Sequence, residues 1–188
     1  SAMSAVKERL LELGTFYPLL AMGHNPSRTM QQFQEMSGAV LLATGSAWEG
    51  MDFPGDMVSL LVIPKLPFPY PNELKEKQRQ QYASLRDFIA SVVLPEMQIK
   101  LRQGFGRAIR TETDTCVIAV LDDRAAAGQR YHAAMLQALP EMPVTNDLED
   151  VERFVWKHKT DRYFKEGRGY LSYGASEKDG ASDTELDS

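Results

Sequence analysis

Four short stretches of this chain are apolar almost from end to end, and that pattern constrains the fold more than any other. They are residues 16–22, 39–43, 58–63 and 115–121. A strand with one wet face alternates polar and apolar side chains, whereas a strand covered on both faces does not need to. Between and beyond these runs lie segments with helical spacing. Residues 6–13 end at Gly14, residues 28–36 begin near Ser27, and a polar helix starts at Glu73 with Asn72 as its N-cap. Pro95 can open a further helix, and residues 125–139 and 148–165 read as two more. Pro64, Pro67, Pro69 and Pro71 make a stiff, extended link. Buried strands alternating with helices predict an α/β fold whose mainly parallel sheet is flanked by helices on both faces.

The charge is uneven. Five acids (Glu177, Asp179, Asp183, Glu185, Asp187) against one base (Lys178) put −4 of the formal −5 on residues 176–188. The rest of the chain is almost neutral, so contact with nucleic acid requires a local basic patch. From residue 167 onward Gly, Ser and acids dominate, which predicts an acidic disordered tail over 167–188 behind a domain over 1–166. The single Cys116 sits in an apolar run and reads as a small core residue; it excludes an internal disulfide or a cysteine-only metal site. His24, His132 and His158 are scattered and have no metal-ligand spacing, so no metal is expected. No apolar run approaches the roughly 18 residues of a membrane span, and no signal-peptide profile is present. A soluble, cytoplasmic protein with no membrane contact is expected. The opening Ser1-Ala2-Met3 resembles a cloning scar, which would make the chain a fragment.

Residues 103–110 read Gln-Gly-Phe-Gly-Arg-Ala-Ile-Arg. On a continuous helix Gln103, Arg107 and Arg110 fall within a sector of about 60°, with Met97, Leu101, Phe105 and Ile109 roughly opposite. One face can then be buried while the other presents an amide and two guanidinium forks, which suit a phosphoryl group. A solvated basic face is the plainer alternative.

The run at 39–43 is followed by Thr44-Gly45-Ser46-Ala47-Trp48-Glu49-Gly50-Met51-Asp52-Phe53-Pro54-Gly55. Loops at the carboxyl ends of parallel strands form the ligand crevice of such sheets. Three glycines, small hydroxyls at Thr44 and Ser46, and carboxylates at Glu49 and Asp52 suit ligand contacts through backbone and short side chains. The same residues could equally make a turn that only reverses the chain. Trp48 is either a core anchor or a residue on which a base stacks. Neither a Gly-x-x-x-x-Gly-Lys-Ser/Thr cradle nor a Gly-x-Gly-x-x-Gly after a strand occurs. Arginines for a phosphate without a cradle point to a cradle on another domain.

These residues resemble the second RecA-like lobe of superfamily 2 helicases of the DinG/XPD (Rad3-like) branch. Ser46 through Asp52 is similar to that branch's motif V, usually Ser-Phe-Trp-Glu-Gly-Val-Asp, and Gln103 through Arg110 to its motif VI, Gln-x-x-Gly-Arg-x-x-Arg. Lys65-Leu66-Pro67-Phe68 and Leu121-Asp122-Asp123-Arg124 stand where the family has Lys-Leu-Pro-Phe and Leu-Asp-x-Arg. The likeness covers about residues 4–140. It implies a three-layer, P-loop-NTPase-like lobe of an ATP-driven motor in which two lobes close on a nucleotide. ATP and Mg2+ would be held mainly by the N-terminal RecA-like lobe of the same polypeptide. Arg107 and Arg110 would contact the γ-phosphate and its transition-state charge, and Gln103 would orient the phosphate network. Asp52 and Gly50 would lie at the nucleotide edge, Thr44 and Ser46 would face the phosphates of single-stranded DNA, and Glu49 would couple the two. An iron–sulfur cluster, where the family has one, is held by four cysteines of the other lobe. The chain departs from the pattern at His24-Asn25, where members often have Gln-Gly, and it lacks the family's preceding strand. Two other uses of the lobe stay open: a nuclease-associated or non-unwinding DNA-binding protein, and a non-catalytic adaptor.

Overall fold

All strand pairing among the described residues of the computed structural model is parallel; these residues are 2–14, 17–23, 25–44, 51, 53–160 and 163–164. They fall into two units, Ser1–Ala47 with Glu152–Ser188, and Trp48–Val151. The expected parallel α/β pattern is present in each as a two-stranded sheet with helices around it.

The first unit contains α1 (Ala2–Glu12), β1 (Leu19–Ala21), α2 (Pro26–Glu35) and β2 (Val40–Leu42). Leu19 pairs with Val40 and Ala21 with Leu42, and both helices pack on β1. Gly14 takes φ +67 just past α1, a left-handed stop that a side chain would disfavour. The start of α2 is set by Asn25 rather than Ser27: its Oδ1 accepts the Arg28 N–H at 3.1 Å. Pro26 then occupies the first turn, where its missing N–H leaves nothing unpaired. Asn25 therefore acts as a helix cap, while His24 lies outside the described residues.

The second unit contains β3 (Leu60–Ile63), α3 (Glu73–Arg79), α4 (Leu85–Phe88), α5 (Leu94–Ala108), β4 (Val117–Val120) and α6 (His132–Ala138). Leu60 pairs with Val117 and Ile63 with Val120. Asn72 caps α3 as the sequence predicts, its Oδ1 accepting the Lys75 N–H at 2.8 Å. Lys75 in turn pairs with Glu96 of α5.

Pro95 does not open a helix. It sits inside one continuous helical run, α4 leading through a π-helical turn (Ile89–Val93) into α5. A proline ring clashes with the carbonyl four residues back and donates no bond to it. The wide turn relieves this, with Leu94 N–H bonding to Ile89 O, five residues back.

The predicted helix over 125–139 is also broken. Asp122 accepts the Arg124 N–H at 3.1 Å and starts a 3-10 turn (Asp123–Ala125). Gly128 then takes φ +78, which no helix interior admits, and α6 begins only at His132. The helix predicted over 148–165 ends as α7 (Leu148–His158). Beyond it, Phe164 stacks on Trp156 at 3.9 Å and 10°. The tail expected over 167–188 lies outside the described residues.

The second unit is centred on Ile63, Leu66, Met97, Leu101, Ala125, Met135 and Ala138. Cys116 is buried, as its apolar context predicts. Among the described residues no helix is long and apolar enough to cross a membrane.

Candidate functional site

Helix α5 divides into two faces as the sequence predicts. Met97 and Leu101 are fully buried and Phe105 and Ala108 nearly so, at four-, four- and three-residue spacing. Gly104 is buried among them, beside the exposed Gln103. Two polar side chains tie α5 to α6: Gln98 Nε2 donates to Ala134 O at 2.9 Å, and Arg102 Nε to Ala138 O at 3.3 Å. The second bond satisfies a carbonyl at the end of α6. Gln103 and the half-buried Arg107 lie four residues apart on the other face, about 40° from one another.

Arg110 is not on that helix, so Gln103, Arg107 and Arg110 do not share the one helical sector that the sequence predicts. Helix α5 stops at Ala108, and Ile109 is extended at φ −130 and ψ 112. The Ile109 N–H still bonds to Phe105 O at 3.0 Å, but the next amide leaves the helical ladder. Arg110 N–H donates instead to Asp114 Oδ2 at 2.9 Å, as does Thr111 N–H, and the Thr111 hydroxyl donates to Asp114 Oδ1 at 2.9 Å. The two backbone amides, Arg110's first, hold the Asp114 carboxyl below the usual carboxylate range. Arg110 is thus presented from a turn, two residues past the last residue of the helix.

Thr44 is exposed and lies two residues after β2 in the first unit, at the carboxyl end of that parallel strand. Ser46, Trp48, Glu49, Gly50 and Asp52 lie outside the described residues. The tail of the glycine loop is visible beyond them: Phe53 is buried, and Gly55 takes φ +64. The next residue, Asp56, accepts both the Thr115 N–H at 2.7 Å and the Thr115 hydroxyl at 3.1 Å. The segment after the glycine loop is therefore tied to the entry of β4, one residue from Asp114.

A second cluster joins two motifs for which the sequence suggested no role. The buried Asp122, just past β4, accepts Leu66 N–H at 2.9 Å and a two-toothed Arg124 fork at 2.9 and 2.7 Å. Arg124 lies over the Phe68 ring at 4.9 Å and the Tyr131 ring at 5.9 Å, and those rings are 4.9 Å apart. One carboxylate thus locks together the loops leaving β3 and β4. The signal in the sequence was an Asp two residues from an Arg after a buried strand, and it is too short to read unaided.

The Arg124 fork, followed by the backbone N–H groups of Leu66 and Arg124, holds the Asp122 carboxyl far below its ordinary range although burial opposes this. A carboxyl depressed in the fold stabilises it fully above the unfolded value, near pH 4, and loses that contribution as pH falls further. Asp122→Asn is expected to lower the unfolding free energy by about 2 kcal/mol at neutral pH. The variant should also lose stability less steeply below about pH 4. Urea titrations of both proteins from pH 7 to 3 test this, and equal stability at pH 7 would refute the clamp.

The described residues contain no group of three or more His, Cys, Asp or Glu side chains able to hold a metal ion. His132 Nδ1 lies 2.9 Å from Ala125 O, and the His158 ring packs on Phe154.

Residues 1–142 match the helicase C-terminal domain family. The chain is 39% identical over 141 residues to the ATP-dependent DNA helicase YoaA of Escherichia coli, covering 73% of this chain and 22% of that protein. It is 33% identical over 154 residues to the ATP-dependent helicase DinG of Mycobacterium tuberculosis, covering 80% and 22%. To the 3'-5' exonuclease DinG of Bacillus subtilis it is 34% identical over 132 residues, covering 69% and 14%. The chain spans about a fifth or less of the length of these relatives. It belongs to the helicase C-terminal domain family and is a DinG/XPD-like helicase C-terminal region.

Proposed function

We propose that this chain is the second motor lobe of an ATP-dependent DNA helicase, delivering arginine fingers to ATP hydrolysis coupled to movement along single-stranded DNA. The observation that best supports this is α5 itself. Its buried side anchors a rigid helix, its other side carries Gln103 and Arg107, and Arg110 follows in a fixed turn. Guanidinium forks on a rigid support are suited to charge that develops only in the transition state. The sequence supplies no phosphate cradle, so ATP and its Mg2+ are held by the N-terminal RecA-like lobe. In this reading Gln103 orients the phosphates. Gly50 and Asp52 border the nucleotide, and Glu49 links it to the strand. Thr44 and Ser46 contact DNA phosphates, and Trp48 stacks on a base. Any iron–sulfur cluster belongs to the other lobe, since four cysteines are needed and this chain has one.

ATP turnover with and without an oligothymidine strand tests the proposal, using the full-length protein and this chain alone. The full-length protein should hydrolyse ATP faster with DNA, and the chain alone should show no turnover. Hydrolysis by the isolated chain, or a full-length rate indifferent to DNA, would overturn the proposal.

The likeness to an exonuclease-named DinG favours a second reading, in which the lobe serves a nuclease with little unwinding. The two separate on a 5′-labelled strand: ATP-dependent displacement of an annealed partner supports the first, and shortening from the 3′ end supports the second.

A further inference from the structure

The loop after α5 carries a carboxylate whose position bears on the chemistry of Arg110. We infer that Asp114 is a positioning residue for Arg110, setting where its guanidinium reaches by fixing the backbone on which it stands. This rests on the proposed role of Arg110 as a finger.

The argument begins with the amide that leaves the helix. Continued α-helix would send the Arg110 N–H to the carbonyl of Gly106 and keep Arg110 on the axis of α5. Asp114 Oδ2 takes that N–H at 2.9 Å and the Thr111 N–H at the same distance. The Thr111 hydroxyl bonds to the other oxygen at 2.9 Å, and the Asp114 N–H closes the turn on Thr111 O at 3.2 Å. Four bonds therefore fix the five-residue segment from Arg110 to Asp114. The turn is anchored elsewhere too, because the neighbouring Thr115 is held by Asp56, four residues after Asp52. Asp114 thus joins the end of the motif VI segment to a loop that is itself pinned to the segment behind motif V.

The geometry of the acceptor matters. Both backbone N–H groups converge on the one oxygen Oδ2 while the Thr111 hydroxyl takes the other, and this holds the side chain in one orientation that a smaller side chain would not match. Arg110 receives its position from its own main-chain bond to Asp114. A misplacement of about 1 Å at a group acting on a transition state can cost about 100-fold in rate.

The test uses the full-length protein and five variants: Asp114→Ala, Asp114→Asn, Asp114→Glu, Arg110→Ala and the double variant Arg110→Ala with Asp114→Ala. Each is assayed for kcat and KM of DNA-stimulated ATP turnover and for its thermal midpoint. Asp114→Ala should lower kcat by about 10- to 100-fold with KM for ATP little changed. Asp114→Asn can keep both backbone bonds through its carbonyl oxygen, and should retain kcat within about 3-fold. Asp114→Glu keeps the charge but carries the oxygens one methylene further, and should lose about 10-fold, which serves if the alanine variant does not fold. On an Arg110→Ala background, Asp114→Ala should cost less than about 2-fold more. A purely structural Asp114 would instead lower kcat equally on both backgrounds, and that result would overturn the inference. So would wild-type kcat in both Asp114→Ala and Asp114→Glu while Arg110→Ala is inactive. Full turnover in Arg110→Ala would count against the finger assignment itself.

Discussion

Replacing Arg107 with alanine in the full-length protein should lower ATP turnover by about 10³-fold or more, with KM for ATP nearly unchanged. The separation of the two constants follows from where each interaction is made. In the proposed reading ATP is gripped by the other lobe before the fingers matter, so losing one should cost little ground-state binding. The fork would act on charge that spreads over the transferring phosphoryl oxygens, and such charge peaks in the transition state. Arg110→Ala should behave alike. The fold should survive both changes, since neither residue belongs to the buried core of its unit. Arg107→Lys is expected to restore little, because an ammonium is a point charge and cannot match two oxygens at once. Steady-state turnover at saturating DNA, with circular dichroism as a check on folding, decides the matter. A loss below about 10-fold in either alanine variant would remove that residue from the catalytic role.

Leu101→Ala should be the most damaging core change, lowering the unfolding free energy by about 3–5 kcal/mol. Leu101 has 0% exposure and packs in the cluster that joins β3, α5 and α6. Its isobutyl group would leave a cavity lined by Ile63 and Met97, residues on rigid elements that cannot collapse inward to fill it. The exposed Ile99, two residues away, provides the comparison: Ile99→Ala should cost less than about 1 kcal/mol. Urea unfolding of both variants, with equal m-values, measures the difference. Similar midpoints would mean that α5 is not anchored as described.

Periodicity and turn chemistry made much of this legible. The buried face of α5 was visible as Met97, Leu101 and Phe105, and the caps at Gly14 and Asn72 as single residues with one physical role. What the sequence concealed depended on side chains bonding to distant or non-helical backbone. Arg110 keeps helical spacing from Arg107, yet Asp114 draws its amide out of the ladder, and no count of apolar positions registers that competition. Asp122 meets Leu66 from 56 positions away, so its role exists only once β3 and β4 are paired. Gly128 and Pro95 misled in opposite directions. The glycine, inside the helix predicted over 125–139, adopts φ +78 and breaks it. The proline, read as a start, is absorbed by a widened turn. The glycine loop was the other half of the expected site, and all its named candidates but Thr44 lie outside the described residues.

That widened turn carries a geometric consequence. A π turn adds the equivalent of one residue to a helix and so rotates everything after it by about 100°. Phe88 and Met97 stand nine residues apart and would point in opposite directions along an unbroken α-helix, yet both are buried. The insertion at Ile89–Val93 sets the angular phase between the two ends of the rod. The compass bearing of Gln103 and Arg107 is therefore fixed a dozen residues upstream, by how the helix accommodates a single proline ring.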